Sequence, residues 1–221
     1  MKQLINKQNN FLYLFFALIG IMFASSVVAQ AESQLADKLF ICVIISMLIV
    51  SIKSLRLKLP IKAFIILYIF SALAHLYFDS KVLVFVILSS LMFFYITAFV
   101  SAYKQILLHG KIDSNKIIGS ITLYLLLGNI WTMIYLMILY IDNSAFSGLD
   151  VTTWQQGFAR VGYYSFVTLT TLGYGDILPH NHIAEFFVSL ETITGVFYIA
   201  IFVSSLISIR INNLNNSSTE Q

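Results

Sequence analysis

Thr168–Asp176 reads TLTTLGYGD: two glycines flank one tyrosine, threonines precede them and an acid follows. In an ordinary extended strand successive carbonyls alternate sides. They point to one axis only if residues alternate between left- and right-handed conformations. Glycine reaches positive φ at little steric cost, and a β-carbon makes it expensive. Gly173 and Gly175, at spacing two, supply that alternation. Thr171 adds a hydroxyl at one end, and Asp176 puts a carboxylate at the other. Tyr174 can aim its ring away from the axis and brace the strand against surrounding helices. A helix ending near Thr170 points its negative dipole end toward such an axis, which favours a cation there.

The elements that must position this strand follow from composition. The chain has 221 residues, 59% hydrophobic and only 10% charged. Soluble domains carry roughly 25% charge, so the chain belongs in a membrane. Uncharged runs cover 11–29, 39–52, 63–78, 82–103 and 117–141, and a sixth, 186–209, is interrupted only by Glu191. A spanning helix needs roughly 17–25 apolar residues. The run 39–52 is short and needs Lys38 and Lys53 to snorkel. With six spans and a cytoplasmic N-terminus, ten of the thirteen basic residues face the cytoplasm, as orientation by basic loops requires. The net charge of +3 is then a matter of topology and no argument for nucleic acid. The localisation expected is the plasma (inner) membrane, with both termini cytoplasmic. Lys2, Lys7, an apolar stretch and Ala29-Gln30-Ala31 also fit a cleaved signal. Cleavage would put the mature N-terminus outside and leave later orientations unchanged. The apolar run is longer than a signal core, which favours a retained helix.

The fold class expected is an all-α membrane protein. It has six transmembrane helices, with a re-entrant helix and loop between the last two. Residues 1–104 form a four-helix domain, 105–116 a cytoplasmic linker, 117–210 the pore half and 211–221 a disordered tail. Thr153 and Gln156 make a capping-box pattern, so a helix should run from about Thr153 to Thr170. It is too short, and too polar at its start, to span. It should dip in and return, and irregular backbone at that depth is tolerated only inside protein or along a water-filled path.

TLTTLGYGD resembles the potassium-channel selectivity filter, and YYSFVTLTTLGYGDILP resembles the pore helix, filter and outer mouth of small bacterial members. The resemblance is specific over 156–195. It implies that Thr171, Leu172, Gly173 and Tyr174 supply the carbonyls that replace potassium's hydration shell. It also implies that Gly175 and Asp176 shape the exit and that four copies surround one axis. Leu172 stands where valine is common. Val167 stands where some relatives have an acid paired with the filter aspartate, which shifts filter support toward the Tyr163 and Tyr164 hydroxyls. Interfacial packing is an equal reading of that pair. The resemblance further implies that relatives bend near Gly195. Gly195 is thus either a gating hinge or a small residue for close packing.

Glu191 is the one acid deep in a predicted span, where charge is costly. It should support the filter from behind through Thr168 or Ser165, with Thr170 closing the helix. His180 and His182 fall in an outer loop, where a plain surface role outweighs a sensory ring. His75 reads as an interfacial hydrogen-bonder. Cys42 has no intrachain partner and reads as a small core residue. The functional expectation is a homotetrameric potassium-selective channel with no cofactor beyond permeant K+, in contact with lipid and not nucleic acid. The fourth span carries no internal arginine or lysine, so steep voltage gating is not expected. The competing readings are a weakly selective cation pore and a non-conducting subunit. Neither paired catalytic acids nor an HExxH or GxSxG pattern favours an enzyme.

Overall fold

The computed structural model describes residues 10–31, 33–55, 59–75, 77–78, 80–107, 114–151 and 153–204. Among them are seven α-helices: α1 (Asn10–Ala31), α2 (Gln34–Leu55), α3 (Leu59–His75), α4 (Lys81–Leu107), α5 (Ser114–Ile141), α6 (Trp154–Leu169) and α7 (His182–Phe197). A π-helical segment, Tyr198–Val203, continues α7. Strands β1 (Phe146–Ser147) and β2 (Leu178–Pro179) pair antiparallel, a feature the sequence reading did not anticipate.

Among the described residues, four segments are long and apolar enough to cross a membrane: Phe11–Ala31, Lys81–Ile106, Ile117–Ile141 and His182–Ala200. The apolar parts of α2 and α3, Lys38–Ser51 and Ala63–His75, are shorter. The chain is therefore a helical, multi-pass membrane protein.

The heart of the fold is α5, whose faces meet α1, α4 and α6. Helix α1 explains its own seat. Phe11, Leu14, Leu18, Ile21, Ser25 and Val28 are buried at alternating spacings of three and four, one stripe along the helix. That stripe lies along α2, α5 and α6. Helices α3 and α4 form a second pair, with Phe64 stacked on Phe93 at 3.8 Å. Phe85 of α4 meets Tyr140 of α5 at 5.6 Å. Phe40 of α2 reaches Trp154 and Phe158 of α6, at 6.1 and 5.5 Å. The first four helices thus pack as two hairpins against the α5–α6 unit, while α2 touches α3 and α4 only lightly.

Three expectations change in detail. Helix α4 runs to Leu107 and α5 starts at Ser114, so the expected linker 105–116 is helical at both ends. Cys42 is exposed and not a core residue: it sits on the opposite side of α2 from Phe40, Ile41 and Ile44. The Nδ1 atom of His75 is buried with no hydrogen-bond partner among the described residues. The tail 211–221 lies outside the described residues. So do Lys2, Lys7, Arg56, Lys58, Lys111 and Arg210, on which the orientation reading partly rests.

The ends of α5 and α7 are joined by a clasp. The Asp142 carboxylate accepts from the Ser144 amide at 2.9 Å, the Ser144 hydroxyl at 2.6 Å and the Asn181 amide nitrogen at 2.8 Å. Asn181 is also the N-cap of α7, its Oδ1 accepting from Ala184 N at 2.8 Å. His180 N donates to the Ala145 carbonyl at 2.8 Å, beside the β1–β2 pairing. The Ser144 hydroxyl first, and Asn181 second, hold the Asp142 carboxyl below its ordinary value. A lowered folded-state value means the clasp's contribution is complete above the ordinary aspartate range of about 3.9. It is lost as pH falls through the folded value. Thermal unfolding followed from pH 6 to pH 3 should show a destabilisation below about pH 4 that shrinks in Asp142→Asn. An identical pH profile in the variant would remove Asp142 as its source.

Candidate functional site

Helix α6 starts where the capping pattern places it. Thr153 is its N-cap, and the Thr153 hydroxyl accepts from Gln156 N at 3.3 Å. At the other end, Thr170 caps the helix. Its amide donates to the Phe166 carbonyl at 3.1 Å, and its hydroxyl reaches the same oxygen at 2.6 Å. Beyond the cap, Thr171 N donates to Thr168 O and Leu172 N donates to Val167 O, both at 2.9 Å. This pair of reversed bonds is a Schellman ending, which needs a left-handed residue just past the cap. That residue is Thr171, at φ 61°. Glycine is the usual occupant, and a β-branched side chain there is a true outlier.

The left-handed conformation then recurs at spacing two, with Gly173 at φ 54° and Gly175 at φ 79°. Alternation over 171, 173 and 175 is the backbone pattern that turns successive carbonyls to one side. A β-carbon on Gly173 or Gly175 would meet nothing within 4 Å. At these two positions the demand for glycine comes from handedness and not from space. Residues 171–176 are exposed in the single chain. Leu172 and Tyr174 are 59% and 66% exposed, and both border a groove of about 480 Å³ shared with Phe166 and Thr170 of α6 and Met22 and Ser25 of α1. The Tyr174 ring therefore faces this groove.

Behind the strand lies a buried polar network. Glu191 of α7 is fully buried. Its Oε2 accepts from the Tyr135 hydroxyl at 2.5 Å, and its Oε1 lies 2.6 Å from Ser165 Oγ. Ser165 Oγ also reaches the Gly128 carbonyl at 2.9 Å. Ser165 has one hydroxyl hydrogen and two acceptors in reach. The count closes when Glu191 carries a proton: it donates to Ser165, which donates to Gly128, while Tyr135 donates to Glu191. Of the two partners anticipated for Glu191, Thr168 and Ser165, the bond is to Ser165. Tyr135, on α5, was not anticipated; only its alignment with Glu191 in space identifies it.

The other expected supports separate. The Tyr163 hydroxyl lies near the Asp176 carboxylate at the end of the strand. Tyr164 is buried away from the strand, its ring 5.5 Å from both Tyr135 and Phe146, with Thr168 near its hydroxyl. Gly195 lies against the end of α6, where a β-carbon would overlap the Leu169 carbonyl. That carbonyl accepts from the Tyr124 hydroxyl at 3.1 Å, another contact the sequence did not reveal. His182 pairs with Glu185 at 3.0 Å, both exposed, and His180 is exposed.

Residues 120–211, from within α5 to beyond the last described residue, match the family model described as an ion channel. No curated protein and no solved structure matches the chain. The family match supports a channel pore built from α5, α6, the strand and α7.

Three substitutions probe this geometry. Glu191→Gln keeps a donor for Ser165 and an acceptor for Tyr135, so the melting temperature should stay near the parent. Glu191→Leu leaves two buried hydroxyls short of a partner, at about 1–3 kcal/mol each, and should lower it. Equal stability of the two variants would discard the network. Thr171→Gly removes a left-handed β-carbon worth roughly 1–2 kcal/mol, partly offset by the added freedom of the unfolded chain. Thermal unfolding of the purified protein should therefore show a rise for Thr171→Gly. A fall would mean that the threonine side chain is itself held in place.

Proposed function

We propose that the protein is a potassium-selective channel, assembled as a homotetramer and conducting passively along the axis lined by residues 171–175. The observation that carries this reading is the alternation of handedness at Thr171, Gly173 and Gly175. It fits a column of carbonyls able to substitute for potassium's water shell. In this reading Thr171, Leu172, Gly173 and Tyr174 coordinate K+, and the Thr171 hydroxyl is the innermost ligand. Asp176 and Tyr163 form the outer mouth, and Glu191, Tyr135 and Ser165 hold α6 from behind.

Other features agree. Helix α6 has 16 residues, about 24 Å long at 1.5 Å per residue. That is short of a bilayer core of about 30 Å, as a re-entrant helix should be. The remaining helices then make six spans, with α2 and α3 tilted or locally matched by the bilayer. One chain supplies one strand, and its polar face is exposed. Ile183, Phe186, Leu190, Ile193 and Phe197 are exposed along α7 at alternating spacings of three and four. That is the seam by which one helix packs on another, and it fits a second copy of α7.

The test is recording from purified protein in a planar bilayer, with potassium on one side and sodium on the other. The reversal potential should lie far toward the potassium equilibrium value, and Gly173→Ala should bring it toward zero. A parent reversal near zero identifies a weakly selective pore, and a silent but assembled protein identifies a non-conducting subunit. The same recording tests voltage dependence. Between Lys81 and Lys104, α4 has no arginine or lysine. One charge crossing the membrane contributes about 2.3 kcal/mol per 100 mV, and steep gating needs about three to four charges per subunit. Open probability should vary weakly with voltage. An effective gating charge of several elementary units per channel, without blocking ions, would overturn this expectation.

A further inference from the structure

The last four carbonyls of any α-helix lack intrahelical donors. In α6, the Phe166, Val167 and Thr168 oxygens are taken by the cap and the residues that follow it. The Leu169 oxygen is taken from outside the helix, by the Tyr124 hydroxyl of α5 at 3.1 Å. On its other side it meets Gly195 of α7, with no room for a β-carbon. The end of α6 is therefore held between α5 and α7, two residues before Thr171.

Tyr124 is itself held. Its ring lies 5.2 Å from that of Tyr198, at 46°. The Tyr198 hydroxyl donates to the Ser120 carbonyl at 2.5 Å. Ser120 precedes Tyr124 by one turn of α5, and Tyr198 follows Gly195 by one turn of α7. Tyr198 is also the residue at which α7 passes from α- to π-helical geometry, a local irregularity of the kind frequent at functional sites. The two tyrosines thus form a chain of contacts from the helical break in α7 to the base of the strand.

We propose that Tyr124 and Tyr198 are positioning residues acting in series: Tyr198 fixes the Tyr124 ring, and the Tyr124 hydroxyl fixes the Leu169 carbonyl that sets the start of the ion-lining strand. The functional consequence rests on the channel reading, but the coupling itself does not. A shift of α7 at the π-helical segment withdraws Tyr198 from Ser120, releases Tyr124 and loosens the turn at Thr170–Leu172. The π-helical break in α7 and the strand then change together.

The experiment compares the full-length parent, Tyr124→Phe, Tyr198→Phe and the double variant, all in the same liposomes. Both substitutions keep the rings and remove one hydroxyl. Hydrogen exchange of the peptide covering 166–176 is read by mass spectrometry, and open-state dwell time is read in bilayers. Each single variant should speed exchange in that peptide about three- to ten-fold, the effect expected for one lost hydrogen bond. Dwell time should shift by a comparable factor. The double variant should match the larger single, because the groups act in series. The Tyr198 hydroxyl donates to Ser120, outside 166–176, so the effect of its loss on that peptide separates coupling from a local packing role. Unchanged exchange in Tyr198→Phe, or effects that multiply in the double variant, overturns the proposal. If the parent does not conduct, the channel reading fails and exchange alone decides the coupling.

Discussion

The structure turns on how the end of α6 satisfies its carbonyls. A helix that stops inside a membrane protein cannot leave those oxygens to water, and each unsatisfied group there costs several kcal/mol. Here the Schellman bonds from Thr171 and Leu172 close two of them and demand a left-handed residue at 171. Once residue 171 is left-handed, Gly173 and Gly175 continue the alternation. The direction of the strand's carbonyls is therefore inherited from the ending of the preceding helix. Thr171 stores strain to make this possible, as residues at functional sites often do. Glycine would relieve that strain and remove the Thr171 hydroxyl from the start of the strand.

The rest of the molecule holds that helix end in place. Apolar helix faces in a membrane pack without a strong register, because lipid is as apolar as leucine. Polar contacts supply the missing specificity. Glu191 can meet Tyr135 and Ser165 only if α5, α6 and α7 are aligned within hydrogen-bond reach. Sliding α7 by one residue would unpair a fully buried carboxyl. The Asp142–Asn181 clasp fixes the same helices from their connected ends. Tyr124 and Gly195 fix them at the level of Leu169. These three levels frame the strand along its length, and α1 adds an apolar buttress along α5 and α6.

What was legible in the sequence was local or periodic. The apolar runs located the helices, Thr153 located the start of α6, and the spacing of Gly173 and Gly175 located the left-handed residues. Glu191 stood out because a lone acid in an apolar run needs a partner, and Ser165 lay on the helix that had to be close. What was not legible depended on contacts far apart in sequence. Tyr135 and Tyr124 are two among twelve tyrosines, and nothing local marks them. Left-handed Thr171 was hidden because its side chain argues against that conformation; only the helix ending requires it. The two-hairpin packing of α1–α4 was hidden because uniformly apolar helices do not record which neighbour they face. Cys42 was misread for the same reason: burial in lipid and burial in protein select the same side chains.

Two stripes with the same spacing show where the single chain is complete and where it is not. The stripe on α1 is buried against its own chain, and the stripe on α7 is exposed. Lipid could cover the α7 seam without great cost, since hydrocarbon accepts isoleucine and phenylalanine readily. It could not cover residues 171–175, whose backbone groups need hydrogen bonds, water or ions. A strand of that kind is tolerable only along an enclosed, hydrated path. In the tetrameric reading, the polar strand sets the requirement for other copies, and the apolar seam sets how they pack. The same requirement explains why the supports behind the strand are built from neutral, closed hydrogen-bond networks. In the tetrameric reading, a charged Glu191 would draw a cation off the axis, whereas a protonated Glu191 that donates to Ser165 holds α6 and adds no charge beside it.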